Sequence, residues 1–252
     1  MNEAAIHHTL VLVLLALAPI TCISLLFVTA PYGRHGRKGW GPEIPSRLGW
    51  VVMESPAVLA FAWVYSLGAN RTSTVALALF ALWQFHYVHR TFIYPFRMRA
   101  RGKNMPLLLA LLAFAFNLGN AYINARWISH LAVYADSWLG DPRFLTGMAL
   151  FGGGWVLNVH ADSVLFRLRD PGESGYKVPQ GGLYELVACP NYLGEVLQWL
   201  GWAVLTWSLA GLSFALYTAA NLAPRALSHL RWYRDTFPEY PPRRKALLPY
   251  LW

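Results

Sequence analysis

Long apolar runs separated by short polar segments follow one another along the whole chain. They predict membrane-spanning helices at about 9–29, 50–67, 73–94, 106–128, 145–166, 191–210 and 212–233, each near the roughly 20 residues that a bilayer requires. A tight turn at 209–212 joins the last two as a hairpin. The pattern predicts an all-α, polytopic membrane protein with seven transmembrane helices in a single domain over 1–252.

The composition and charge support this prediction. Hydrophobic residues make up 56% of the chain and charged residues 13%, against roughly 25% charged residues in soluble domains. A formal net charge of +9 suits nucleic acid or a membrane surface. Because the basic residues lie in short loops between apolar runs, we predict the lipid bilayer as partner and no nucleic acid. Cys22 and Cys189 form no metal-ligand spacing, so no metal site is predicted.

Loop charge predicts the orientation of the helices. One side of the predicted membrane carries nearly all basic loop residues, and the other carries Arg71, Arg143 and at most Arg126. The positive-inside rule makes the basic side cytosolic. An odd number of spans then places the N-terminus outside or in the lumen and the C-terminus in the cytosol. The host membrane is a bacterial inner membrane or the endoplasmic reticulum.

Two polar pairs mark the most informative stretch of the chain, residues 158–195. Asn158 and Asp162 are four residues apart, as are Asn191 and Glu195, so each pair lies on one face of its helix. Between the pairs runs a basic, Gly/Pro-rich segment that includes Arg169. This arrangement is typical of a buried polar site with a lid at the membrane surface.

The last predicted span carries a polar stripe. Asn221, Arg225, His229 and Tyr233 follow one another at intervals of four residues on an otherwise apolar helix. Side chains that reach the interface from a helix end would account for His229 and Tyr233, but poorly for the deeper Arg225 and Asn221. The stripe suits an anionic ligand that enters from the cytosolic side.

Other polar residues within the spans have two interpretations each. Glu54 is either a helix-end carboxylate at the interface or a functional group in a pocket opened by the kink at Pro56. Tyr87 belongs either to an aromatic belt or to a substrate site as a hydrogen-bond donor. Asn117, Asn120 and Asn124 are expected to be structural or cavity-lining, and Gly152, Gly153 and Gly154 to allow close helix packing.

The residue pattern leads to an intramembrane pocket and a phosphate-bearing cofactor, because Arg and Lys residues surround the predicted cytosolic end. No Walker loop, Rossmann fingerprint or Ser-His-Asp order is present in the sequence. The pattern alone does not name the reaction.

Several runs resemble one known family, the membrane steroid 5α-reductases or 3-oxo-5α-steroid 4-dehydrogenases, with the type 2 branch as the nearest. The runs cover nearly the whole chain in order: 85–92, 158–162, 171–173, 176–184, 191–195 and 244–249. The resemblance implies a seven-helix enzyme that uses NADPH to reduce the C4–C5 double bond of 3-oxo-Δ4 steroids.

The resemblance also implies roles for individual residues. Glu54, in protonated form, and Tyr87 would hold the steroid 3-oxo group while hydride reaches C5. The positions matching NADPH contacts lie mostly in residues 106–252 and are Asn158, Asp162, Arg169, Tyr176, Asn191, Glu195, Arg225, His229 and Tyr233, with Tyr32 and Lys103 as further contacts. We expect a steroid or steroid-like substrate and a monomeric protein.

Three alternatives have to be distinguished from this reading. A related membrane reductase of enone or enoyl lipids would share the fold. An isoprenylcysteine-type membrane methyltransferase would also build a cofactor pocket from its C-terminal helices, but S-adenosylmethionine carries no phosphate, so the excess of Arg and Lys favours NADPH. A heptahelical receptor or packing subunit would leave the stripe at Arg225, His229 and Tyr233 unexplained.

Overall fold

The computed structural model describes residues 2–31, 33–37, 39–98, 103–168, 173 and 175–252. The chain is 74% helical, which confirms the predicted all-α class. The helices are α1 (Glu3–Phe27), α2 (Ser46–Ser66), α3 (Thr74–Val88), α4 (Tyr94–Arg97), α5 (Leu107–Arg126), α6 (Pro142–Arg167), α7 (Pro190–Thr206) and α8 (Leu209–Thr236). Tyr32 and Arg169, both predicted site residues, lie outside the described residues.

Three helices of the described chain are long and apolar enough to cross a membrane. They are α1, α2 and α5 together with its continuation to Leu131. Other predicted spans correspond to helices that are shorter or more polar than these three. Helices α3 and α7 have only 15 and 17 residues, and α8 carries the polar stripe. The length and apolarity of these helices therefore indicate a membrane protein, but they do not establish the number of spans as seven.

Local capping sets where several helices begin and end. The side chains of Ser73, Asp141 and Ser208 accept hydrogen bonds from backbone N–H groups in the first turns of α3, α6 and α8. Between α7 and α8, Trp207 adopts a left-handed conformation with φ 43°. The hairpin turn thus lies at Trp207 and Ser208, slightly before the predicted 209–212, because the Ser208 cap starts α8 at Leu209.

Two three-residue strands join the loops before α2 and α5. Strand β1 (Glu43–Pro45) pairs antiparallel with β2 (Asn104–Pro106), and the Ser46 N–H donates to the Lys103 carbonyl oxygen at 2.9 Å. The sequence analysis did not predict these strands, which are too short to show an alternating pattern. They fix Lys103 beside the first turn of α2.

Glycines allow α6 and α7 to pack with their backbones in close approach. A Cβ atom on Gly154 would lie 2.4 Å from the Gln198 nitrogen, and one on Gly194 would lie 2.5 Å from the Asn158 nitrogen. The prediction for the glycine triplet is right for Gly154 alone, since Gly152 and Gly153 face open space. This contact brings the polar face of α6 against the first turn of α7.

An aromatic core lies between α2, α3, α7 and α8. Trp83 stacks on Phe61 with ring centroids 4.4 Å apart, and its indole N–H donates to the Ala57 carbonyl oxygen at 2.8 Å. Tyr87, one turn later in α3, packs against Trp83 and Trp199 at 4.9 and 5.5 Å. The core holds the Tyr87 ring in a fixed position.

Candidate functional site

One cavity of about 560 Å³ gathers most of the predicted site residues. Its lining includes Glu54, Tyr87, Lys103, Tyr176, Asn191, Glu195, Arg225, His229 and Tyr233. Phe116, Phe214 and Tyr217 line the same cavity and provide apolar surface. A pocket of this size with apolar walls and a few convergent polar groups is the usual form of a small-molecule site.

Glu54 is held by two neighbouring helices. Asn117 on α5 donates through Nδ2 to Glu54 Oε2 at 3.3 Å and to the Met53 carbonyl oxygen at 2.7 Å. Thr91 Oγ1 donates to the Glu54 carbonyl oxygen at 3.4 Å. Glu54 therefore lies in the pocket rather than at an interface, with one carboxyl oxygen engaged by an amide donor. The Asn117 side chain itself lines the cavity.

Arg90 lines the cavity and was not singled out by the sequence pattern. It lies in a π-helical segment, His89–Ile93, between α3 and α4, and such segments are frequent at functional sites. Its guanidinium is 3.8 Å from Asp162 and 3.6 Å from Glu195. A charged residue inside an apolar span was the signal that could have identified it.

Aromatic rings hold the other faces of Arg90. The guanidinium carbon lies 4.7 Å from the Trp50 ring centroid and 4.5 Å from that of Tyr94, within cation–π range. The Trp50 indole N–H donates to the Arg90 carbonyl oxygen at 3.2 Å. One arginine thus links α2, α4, α6 and α7 around the cavity.

The two predicted polar pairs meet behind the cavity wall. Asn191 Nδ2 donates to Asp162 Oδ1 at 3.0 Å, and Asn158 Nδ2 donates to the Asn191 carbonyl oxygen at 2.9 Å. Asn158 and Asp162 are buried, with exposed fractions of 6% and 3%. They orient Asn191, which lines the cavity. Their own contact with a cofactor stays a prediction.

A second group of cavity-lining residues is basic and forms what we call the basic end of the cavity. Arg34, from the α1–α2 loop, places its guanidinium 5.3 Å from the Tyr176 ring centroid and 4.5 Å from that of Tyr233. Lys103 lies 5.6 Å from the Tyr176 centroid. The sequence analysis counted Arg34 only as loop charge, and no periodic signal marks it. It lines the cavity with Lys103, Lys177 and Arg225.

The C-terminal segment fixes the loop that carries Tyr176. Arg244, 2% exposed, donates to the Pro179 carbonyl oxygen at 2.7 Å and to Glu185 at 3.1 Å. The Gly181 N–H donates to Glu185 at 2.6 Å. This hydrogen bond, with the charge of Arg244, lowers the pKa of the Glu185 carboxyl. Arg244 and Glu185 therefore hold this loop in place outside the membrane-spanning helices.

The residues present fit a phosphate-bearing cofactor beside an apolar substrate. Arg34, Lys103, Lys177 and Arg225 line the cavity, as do aromatic side chains, Glu54 and Tyr87. Guanidinium and ammonium groups are the usual partners of phosphate oxygens. In the described part of the chain, no three His, Cys, Asp or Glu residues are grouped so as to hold a metal ion.

Comparison with known proteins supports the resemblance. "Steroid 5-alpha-reductase DET2" of Solanum lycopersicum is 47% identical over 256 residues, covering 100% of this chain and 99% of its own. "3-oxo-5-alpha-steroid 4-dehydrogenase 1" of Bos taurus is 43% identical over 244 residues, covering 94% and 93%. The human protein of that name is 45% identical over 222 residues, covering 87% and 85%.

These relatives are plant and type 1 proteins, so the nearness to the type 2 branch stays a prediction. The sequence profile described as 3-oxo-5-alpha-steroid 4-dehydrogenase matches residues 103–252, the part that contains Asn191, Arg225 and His229. The chain belongs to the 3-oxo-5-alpha-steroid 4-dehydrogenase family.

Proposed function

We propose that this protein is a membrane oxidoreductase that uses NADPH to reduce the C4–C5 double bond of 3-oxo-Δ4 steroids to the 5α products. The observation that carries the proposal is one cavity that is lined by Glu54 and Tyr87 and also by several cationic side chains. The names of the relatives, which are steroid 5-alpha-reductases and 3-oxo-5-alpha-steroid 4-dehydrogenases, support it.

Glu54 and Tyr87 would bind the steroid 3-oxo oxygen. Because Asn117 donates to Glu54 Oε2, the proton of a neutral carboxyl lies on Oε1, which then donates to the substrate. The Tyr87 hydroxyl is the second donor. Both stabilise negative charge that develops on the 3-oxo oxygen, as donors in a water-poor site do. The proton that C4 takes up comes from Tyr87 or from water.

The basic end of the cavity would hold NADPH, which supplies hydride when bound. Lys103 and Arg225 offer positive charge and N–H donors for its phosphates, and His229 contacts Tyr192, the acceptor of the Arg225 hydrogen bond. Tyr176, Asn191, Glu195 and Tyr233 line the same cavity and provide hydrogen-bonding groups or ring surface. Asn158 and Asp162 orient Asn191. Tyr32 and Arg169 complete the proposed set on the family resemblance.

In the membrane we propose seven transmembrane helices in one domain, with the C-terminus cytosolic. The basic loops support this orientation by the positive-inside rule, and three of their residues, Arg34, Lys103 and Lys177, line the cavity. NADPH would thus enter from the cytosol and the steroid from the bilayer. We propose a monomer, since one chain supplies both the acidic and the basic residues that line the cavity.

The proposal is tested with the full chain purified in detergent, NADPH, and testosterone or progesterone. We expect NADPH oxidation and a product two mass units heavier than the steroid, absent when NADPH is omitted. Tight NADPH binding without a steroid product would contradict the substrate assignment and indicate a reductase of another enone or enoyl lipid. Absence of both binding and turnover would refute the proposed function as a whole.

A further inference from the structure

A line of four side chains connects the basic end of the cavity to the α1–α2 loop. Arg225 donates to the Tyr192 hydroxyl oxygen at 3.0 Å, and that oxygen is 3.2 Å from His229 Nε2. His229 Nδ1 is in turn 3.2 Å from Nε2 of His35, with the ring centroids 5.0 Å apart. Tyr192, His229 and Arg225 line the cavity, whereas His35 lines a small side pocket beside it.

The chemistry of these groups restricts where the hydrogens lie. A guanidinium only donates, so the Tyr192 oxygen accepts from Arg225. A single hydrogen can occupy the gap between His35 Nε2 and His229 Nδ1, which couples the tautomers of the two rings. Hydrogen bonds that point the same way polarise one another. Each group therefore donates a hydrogen bond to the next, in the order Arg225, Tyr192, His229 and His35.

His35 is suited to end this line as an acceptor. It is half-buried at the end of a short 3₁₀ segment, Gly33–His35. Burial, together with the neighbouring Arg34 guanidinium, lowers the pKa of His35. A neutral ring leaves Nε2 free to accept from His229, while Nδ1 carries the proton.

We propose that His35 is a positioning residue for the basic end of the cavity. By accepting from Nδ1 of His229, it holds Nε2 of that ring unprotonated and directed at Tyr192. The Tyr192 oxygen then stays in place as the acceptor that aims Arg225. The inference rests on the proposed NADPH function, because it assigns His35 an indirect effect on cofactor binding.

Two measurements on the full-length protein in detergent test the proposal. Imidazole ¹⁵N shifts report which nitrogen of His229 carries hydrogen, and the His229→Gln spectrum identifies its signals. Isothermal calorimetry measures the Kd for NADPH without requiring turnover. The variants are His35→Leu, His35→Gln, which keeps an acceptor, and the control His8→Leu at an exposed histidine of α1.

We expect His229 to carry hydrogen on Nδ1 in the wild-type protein and in His35→Gln. In His35→Leu the hydrogen should move to Nε2, and the Kd for NADPH should rise about fivefold, the scale of one lost hydrogen bond. His8→Leu should match the wild type in both measurements.

Unchanged ¹⁵N shifts in His35→Leu would overturn the proposal, as would an unchanged Kd. An equal loss of affinity in His35→Gln would also overturn it, since the acceptor would then not matter. If the wild-type protein bound no NADPH, the proposed cofactor would be refuted. The ¹⁵N shifts would then test only the hydrogen bond between His35 and His229.

Discussion

Asn117 and Glu54 form a hydrogen bond of 3.3 Å between α5 and α2, with the amide as donor. The same Nδ2 atom donates to the Met53 carbonyl oxygen at 2.7 Å, so two acceptors fix the orientation of the Asn117 amide. The contact distinguishes the two oxygens of the Glu54 carboxyl. Oε2 accepts from Asn117, and Oε1 is the oxygen that the proposed function assigns to the substrate.

Glu54→Gln should be a milder change than Glu54→Ala, because glutamine keeps a donor for the steroid 3-oxo oxygen. We expect Glu54→Ala to lower kcat by about 10²–10³, the usual result of removing one such donor. Steady-state turnover of a 3-oxo-Δ4 steroid measures both. Glu43→Gln, at an exposed residue of β1, is the matched control. Equal loss in Glu54→Gln and Glu54→Ala would show that hydrogen donation is not the role.

Tyr87→Phe removes the second proposed donor and leaves the ring packing intact. We expect kcat to fall by about 10²–10³ with little change in thermal stability. Tyr65→Phe is the control, since Tyr65 is a buried tyrosine of α2 whose hydroxyl donates to the Arg71 carbonyl oxygen at 2.6 Å. Normal turnover by a folded Tyr87→Phe protein would remove Tyr87 from the mechanism.

Arg90→Met should destabilise the protein, because it leaves the buried Asp162 and the part-buried Glu195 as carboxylates without their cation. Breaking a buried ion pair in this way costs about 3–5 kcal/mol. Adding Asp162→Asn and Glu195→Gln should restore much of the stability, since no uncompensated charge then remains. Thermal unfolding in detergent measures each variant. Arg143→Ala, in an exposed ion pair with Asp141, should have little effect.

Arg225→Ala should raise the KM for NADPH far more than the KM for the steroid, because the guanidinium lies at the basic end of the cavity. We expect a rise of about tenfold or more, the scale of a lost charged hydrogen bond. Initial rates at varied concentrations of each substrate provide the comparison. Equal rises for both substrates would point to misfolding and away from a specific cofactor contact.

Sequence periodicity predicted what lies within one helix. The stripe from Asn221 to Tyr233 follows from a repeat of four residues, and all four of its side chains line the cavity. The positions of Asn158 and Asn191 on their helix faces were predictable for the same reason. The hydrogen bond between them was not, because it depends on how closely α6 and α7 approach.

Contacts between helices could not be predicted from the sequence. Arg90 meets Asp162 and Glu195 only because a π-helical segment and the packing of three helices bring them together. Arg34 reaches the cavity from a loop, where no repeat marks its direction. The apolar pattern likewise could not distinguish Gly154, which contacts α7, from Gly153, which faces open space.

Gly194→Ala should therefore destabilise the protein and disturb the site, whereas Gly153→Ala should do neither. A Cβ atom at position 194 would lie 2.5 Å from the Asn158 nitrogen, so α6 and α7 would have to separate. We expect a loss of about 1–3 kcal/mol, typical of overpacking in a closely packed interior. Thermal unfolding measures the stability, and the Kd for NADPH measures the displacement of Asn191. Equal behaviour of the two variants would mean that the close approach of α6 and α7 is not needed to hold Asn158 and Asn191 together.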